Sequence, residues 1–214
     1  MLPLVVVVSA AAQAPHTVVA GPWASELAQF EAADRAHPPA PGGVLFVGSS
    51  SVRMWQSLST DFPGVPVLNR GFGGSELADV VKLCDRVVLP YRPRVVVLYA
   101  GDNDIGNGRT PADVAGALQT FVSTMHRQLP ATRVVYVSIK PSPARWGHVE
   151  QIREANRLAR ALAATDSLLR FVDVFTPMLD STGHPRRELY QGDGLHMTLA
   201  GYAIWRQQLA PLVR

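Results

Sequence analysis

The chain has 214 residues, enough for one well-buried core and too few for two domains of ordinary size. Twenty Lys and Arg against 17 Asp and Glu leave a net charge of +3, with no basic run interleaved with stacking aromatics, which argues against a nucleic-acid partner. The single cysteine, Cys84, excludes an intramolecular disulfide, and no paired Cys/His spacing suits structural zinc.

Along the chain, Leu2 to Ala12 is apolar and uncharged, and Ala12-Gln13-Ala14 has the small-x-small form of a signal-peptidase site. Residues 1–14 are therefore expected to be a short or truncated signal peptide of a periplasmic or secreted protein, although the basic n-region is missing. A cytoplasmic protein with an apolar start is the alternative. The stretch is too short to span a bilayer, so no integral membrane segment is expected. Residues 15–42 are expected to hold an amphipathic helix from Trp23 to Ala36, its Trp and Phe used for packing, and a helix stop at His37-Pro38-Pro39-Ala40-Pro41-Gly42-Gly43.

From residue 43 onward, short apolar runs alternate with helical patterns. The runs are Gly43 to Val47, Val65 to Leu68, Val95 to Tyr99, Val134 to Ser138 and Leu169 to Val174. The helical stretches are Val52 to Leu58, Glu76 to Leu89, Pro111 to Leu129, Val149 to Thr165 and Thr198 to Leu209. Near-continuous Val and Leu runs indicate strands buried on both faces, as in a parallel sheet between helix layers. One three-layer α/β/α domain over 43–214 is expected, with Cys84 as a buried thiol.

Four short segments carry residues suited to ester cleavage. Gly48-Ser49-Ser50 falls on the turn between the first strand and a helix; Gly73-Gly74 and Gly101-Asp102-Asn103-Asp104 follow later strands; Asp193-Gly194-Leu195-His196 sets an acid three residues before a base. A serine hydroxyl needs an imidazole to take its proton during attack, and a carboxylate on the far ring nitrogen fixes the imidazole's tautomer. Glycine at 74 lets a backbone N–H approach the oxyanion, and Asn103 offers a side-chain amide donor. The Ser50 N–H is a third donor for the same charge. Ligands in open parallel sheets bind beyond the carboxyl ends of the strands, which is where Ser50, Gly74 and Asn103 fall. Each segment alone has a plainer explanation as a turn or cap.

Taken together, the segments resemble the four blocks of the SGNH hydrolases, the GDSL-like lipase and esterase superfamily. The nucleophile block corresponds to Phe46 through Ser51, the second to Asn69 through Gly74, the third to Gly101 through Asp104, and the last to Asp193 through His196. The resemblance implies a flavodoxin-like sheet of five parallel strands, Ser50, His196 and Asp193 as catalytic residues, and an oxyanion hole from Ser50, Gly74 and Asn103. It also implies that no cofactor or metal is required. Ser49 stands where the family usually has the aspartate of GDS, and three consecutive serines leave Ser51, then Ser49, as alternative nucleophiles.

His196 is preferred as base over His148 and His184, which lie in loops near the same edge but lack an aspartate three residues earlier. Phe72, Asp104 and Trp146 are candidate substrate-binding residues, with Ile105, Lys140 and Arg145 on the same loops. A small-molecule or carbohydrate ester with a short acyl group is the expected substrate. The alternatives are an acyltransferase using the same acyl-enzyme, or a flavodoxin-like binding module without catalysis.

Overall fold

The computed structural model describes residues 21–213. The apolar stretch Leu2 to Ala12 and the Ala12-Gln13-Ala14 site lie outside the described residues. Five strands, β1 (Val44–Gly48), β2 (Val67–Gly71), β3 (Val95–Tyr99), β4 (Arg133–Val137) and β5 (Leu169–Val172), pair in parallel in the order β2-β1-β3-β4-β5.

Both faces of the sheet are covered, which is why its strands are almost wholly apolar. Leu45, Val47, Val96, Leu98, Val134 and Tyr136 point to one side. There they meet Leu118, Phe121 and Met125 of one long helix and Ile152, Ala155 and Ala159 of another. Val44, Phe46, Val95, Val97, Tyr99, Val135 and Val137 point to the other side, against Val52, Trp55, Trp205 and Leu209. This period-two division is the pleat of a doubly covered sheet, and each buried Val or Leu contributes roughly 1.5–3 kcal/mol.

The helices are α1 (Ala24–Ala36), α2 (Ser50–Arg53), α3 (Leu58–Asp61), α4 (Leu77–Lys82), α5 (Cys84–Val87), α6 (Asp102–Gly106), α7 (Pro111–Gln128), α8 (Val149–Ala164) and α9 (Leu199–Val213). Helix α7 starts where its sequence dictates. Pro111 fits the first helical position, the Thr110 hydroxyl accepts from the Asp113 N–H at 3.1 Å, and the Asp113 carboxylate accepts from the Thr110 N–H at 2.8 Å. None of the helices among the described residues is long and apolar enough to cross a membrane.

Three elements differ from expectation for identifiable reasons. Strand β2 runs on to Gly71 through Asn69 and Arg70, because folding gives both polar side chains partners. Arg70 meets Asp34 and Tyr91, and Asn69 donates to the Val52 carbonyl at 2.7 Å. The helix expected over Glu76 to Leu89 breaks at Leu83 into α4 and α5. The helix expected over Val52 to Leu58 is replaced by α2 and α3, with Trp55 between them turned into a ring cluster with Phe46, Phe62, Tyr202 and Trp205.

Candidate active site

At the carboxyl end of β1 the chain must turn sharply. Gly48 has φ +137, and a Cβ there would lie 1.8 Å from the Tyr99 carbonyl oxygen, so only glycine fits. The Ser49 N–H donates to that same carbonyl at 3.0 Å, and Ser49 then caps α2, whose first residue is Ser50. Tyr202 of α9 clamps the turn from the other side through a 2.9 Å bond to the Ser51 carbonyl. Ser49 and Ser51 are buried, whereas the Ser50 hydroxyl faces His196, its Oγ 3.0 Å from Nε2 across 146 residues of sequence.

His196 and Asp193 belong to a tight loop before α9. One Asp193 carboxylate oxygen accepts the N–H groups of Leu195 and His196, both at 2.9 Å, and the other contacts His196 Nδ1 at 2.6 Å. Gly194, at φ +64, makes the turn possible, and its carbonyl accepts from the Ala144 N–H at 3.0 Å. The hydrogen bond from His196, with the two backbone N–H groups, lowers the Asp193 carboxyl to a pKa of about 2. An ionised Asp193 has no proton to share, so the proton in the 2.6 Å contact sits on Nδ1 and Nε2 is left as acceptor toward Ser50.

The turn Gly73-Gly74-Ser75 follows Phe72, whose N–H donates to the Gly48 carbonyl at 2.9 Å. Gly74 adopts φ +73 with open space where a side chain would be. The Ser75 hydroxyl bonds the Phe72 carbonyl at 3.0 Å, and the Trp23 indole donates to the Gly73 carbonyl at 2.7 Å, so the start of α1 holds this turn. Asn103, on α6, donates through Nδ2 to the Ser75 carbonyl at 3.1 Å, which leaves its second amide proton available. The N–H groups of Ser50 and Gly74 have no acceptor among the described residues.

Several expected substrate contacts are corrected by their burial. Phe72 is fully enclosed and packs edge-on against Trp23 at 5.3 Å, so it supports the Gly73-Gly74 turn from beneath. Asp104 is also buried. Its carboxylate accepts the Leu77 N–H at 3.0 and 3.2 Å, tying α6 to the first turn of α4, and burial raises its pKa to about 6 despite that bond. Ile105 and Lys140 are buried too, and neither reaches the cleft surface. Trp146 stays partly exposed on the Pro143–His148 turn, beside the Gly194 loop, with its ring 5.5 Å from that of His184.

The Ser50 hydroxyl bonds His196, whereas His184 Nδ1 lies 3.1 Å from the Thr182 hydroxyl. Sequence reasoning missed the role of Trp23 in holding the Gly73 carbonyl, and it gave Asp102 no part beyond that of a turn former. A charged residue directly before Asn103, in a segment that follows a buried strand, was the available signal.

A family model for the GDSL-like lipase/acylhydrolase family matches residues 39–204. The platelet-activating factor acetylhydrolase IB subunit alpha2 of Gallus gallus is 28% identical over 173 residues, covering 75% of this chain and 71% of that protein. The solved GDSL-like lipase of Bacteroides thetaiotaomicron superposes with a TM-score of 0.77 at 19% identity, covering 87% of this chain and 96% of that one. The fold is likewise that of an acetylxylan esterase of Geobacillus stearothermophilus, with a TM-score of 0.64, 15% identity, and coverage of 80% and 94%. The chain belongs to the GDSL-like lipase/acylhydrolase family and is a hydrolase of ester bonds.

Proposed function

We propose that the protein is a serine esterase that removes short acyl groups, acetyl foremost, through an acyl-enzyme on Ser50. The observation that carries this reading is the hydrogen-bond chain from Ser50 Oγ through His196 to Asp193. His196 Nε2 takes the hydroxyl proton as Oγ bonds to the ester carbonyl carbon. The oxyanion accepts from the N–H groups of Ser50 and Gly74 and from Asn103 Nδ2. Collapse of the tetrahedral species breaks the ester bond, and the proton on Nε2 passes to the departing alcohol. Water then attacks the acyl-enzyme, gives its proton to Nε2, and the acid leaves with Ser50 restored.

The acetyl preference is supported by the names of the relatives, an acetylhydrolase and an acetylxylan esterase. Trp146, beside the loop that carries His196, is the residue we assign as a wall for the acyl or alcohol group. The test is a series of p-nitrophenyl esters from acetate to octanoate, run beside acetylated xylooligosaccharides. The proposal expects kcat/KM to be highest for acetyl esters and to fall with chain length. A higher value for octanoate than for acetate would remove the short-acyl assignment, and absence of turnover on every ester would remove the reading itself.

A further inference from the structure

Lysine is among the residues least often found fully buried, because removing its ammonium from water is costly unless a partner compensates. Lys140, just past the carboxyl end of β4, is sealed from solvent, and its Nζ donates to Asp102 Oδ2 at 2.7 Å and to the Tyr99 hydroxyl at 3.0 Å. The other oxygen of Asp102 accepts the Asn103 backbone N–H at 3.0 Å. The bonds form one continuous path from the Lys140 ammonium, through a buried carboxylate, to the backbone of the residue whose amide faces the Ser75 carbonyl.

The surroundings leave this path little freedom. Gly101, at φ +125, lets the chain pass so close to Ile139 that a Cβ would lie 2.6 Å from its Cδ1, which brings Lys140 next to Asp102. Ile139 is itself pinned by Asn156, whose side chain bonds its N–H at 2.8 Å and its carbonyl at 2.9 Å. Asn103 is thus held twice, through its backbone by Asp102 and through its side chain by Ser75.

We propose that Lys140 is a positioning residue of the esterase, orienting Asp102 so that Asn103 presents its free amide proton to the oxyanion. The inference rests on the reading of Asn103 as an oxyanion donor. A merely structural ion pair would affect folding without acting through Asn103, and the two roles separate experimentally. Lys140→Met alone strands a buried carboxylate and endangers folding, so the informative variant is the double replacement Lys140→Met/Asp102→Leu, which removes both charges while matching the branching of each side chain.

The expected result, with p-nitrophenyl acetate, is a folded double variant whose kcat falls at least about tenfold while KM stays within about twofold, a loss confined to the transition state. In an Asn103→Ala background the same double replacement should change kcat by less than about threefold, because the group it positions is already gone. Lys140→Met/Asp102→Asn, which keeps a neutral acceptor for the Asn103 N–H but nothing at position 140 to orient it, should recover little of the lost kcat, and recovery to the parent value would overturn the role of Lys140. Equal losses in both backgrounds, or parent kcat in the double variant, would overturn the proposal. If Asn103→Ala alone kept the parent kcat, the oxyanion reading would fall first and this inference with it.

Discussion

Gly71 ends β2 directly beside Gly48 and lies under the helix that starts with Ser50. A Cβ at position 71 would sit 2.2 Å from the Arg53 backbone nitrogen and 2.8 Å from the Arg53 Cα. Ordinary contact begins near 3.4 Å, so Gly71→Ala requires α2 to move by roughly 1 Å. The φ of Gly71 is not in the left-handed region, so the effect is steric and falls on α2. His196 sits on a separate loop and does not follow, and the 3.0 Å contact to Ser50 opens beyond hydrogen-bond reach. A misplacement of about 1 Å costs on the order of 10²-fold in rate, and the overpacking itself costs about 1–3 kcal/mol. We expect kcat/KM for p-nitrophenyl acetate to fall by about two orders of magnitude in a variant that still melts cooperatively by circular dichroism. A folded Gly71→Ala protein with parent kcat/KM would refute the argument that backbone packing of α2 on β2 sets the position of Ser50.

The buried Asp104 makes stability depend on pH. Its folded pKa of about 6 lies above the ordinary 3.8, so the native state binds more protons than the unfolded chain between those values. Stability from this group falls as pH rises through that window, by about 3 kcal/mol in total. Asp104→Asn keeps an acceptor for the Leu77 N–H and removes this dependence. Urea unfolding of the two proteins should therefore diverge in the variant's favour from about pH 4 to about pH 7, and a constant difference would contradict the assignment. Burial pushes the Cys84 thiol up to about 12, so iodoacetamide near pH 8 should leave it unmodified in the native protein and alkylate it in urea, as mass spectrometry would show. Asp193→Asn should lower kcat by up to about 10⁴-fold, since an amide stabilises the wrong imidazole tautomer, and steady-state kinetics would reveal a smaller dependence if the carboxylate only shapes the loop.

Much of the fold was legible because its code is local. The Val runs at 44–47, 95–99 and 134–137 could be buried on both faces only in a covered sheet, and the helical pattern from Pro111 marked the start of α7. Strand β2 was placed too early because Asn69 and Arg70 read as loop; their partners at Val52, Asp34 and Tyr91 come from distant sequence. The helix after Ser50 was overextended for a similar reason, since Trp55 turns away from a helical path to join rings from α9.

In the candidate site, the three-residue spacing of Asp193 and His196 was readable, and so were the glycines at 48, 74 and 194 that turns demand. Burial was not. Phe72, Asp104 and Lys140 sit on the expected loops, but their side chains point into the protein, and only the packing of α1, α4 and β3 around them decides that direction. The ambiguity among Ser49, Ser50 and Ser51 was likewise a matter of a helix's first turn, where successive side chains diverge by about 100°.

The central claim is that Ser50, activated by His196, forms a covalent acyl-enzyme. Its most direct measurement is peptide mapping after reaction with a fluorophosphonate, on the parent and on His196→Ala. The account predicts one adduct, on the peptide carrying Ser50 and at that residue, formed rapidly in the parent and not within the same time in the variant. An adduct at Ser49 or Ser51, or none in a preparation that hydrolyses esters, would contradict it.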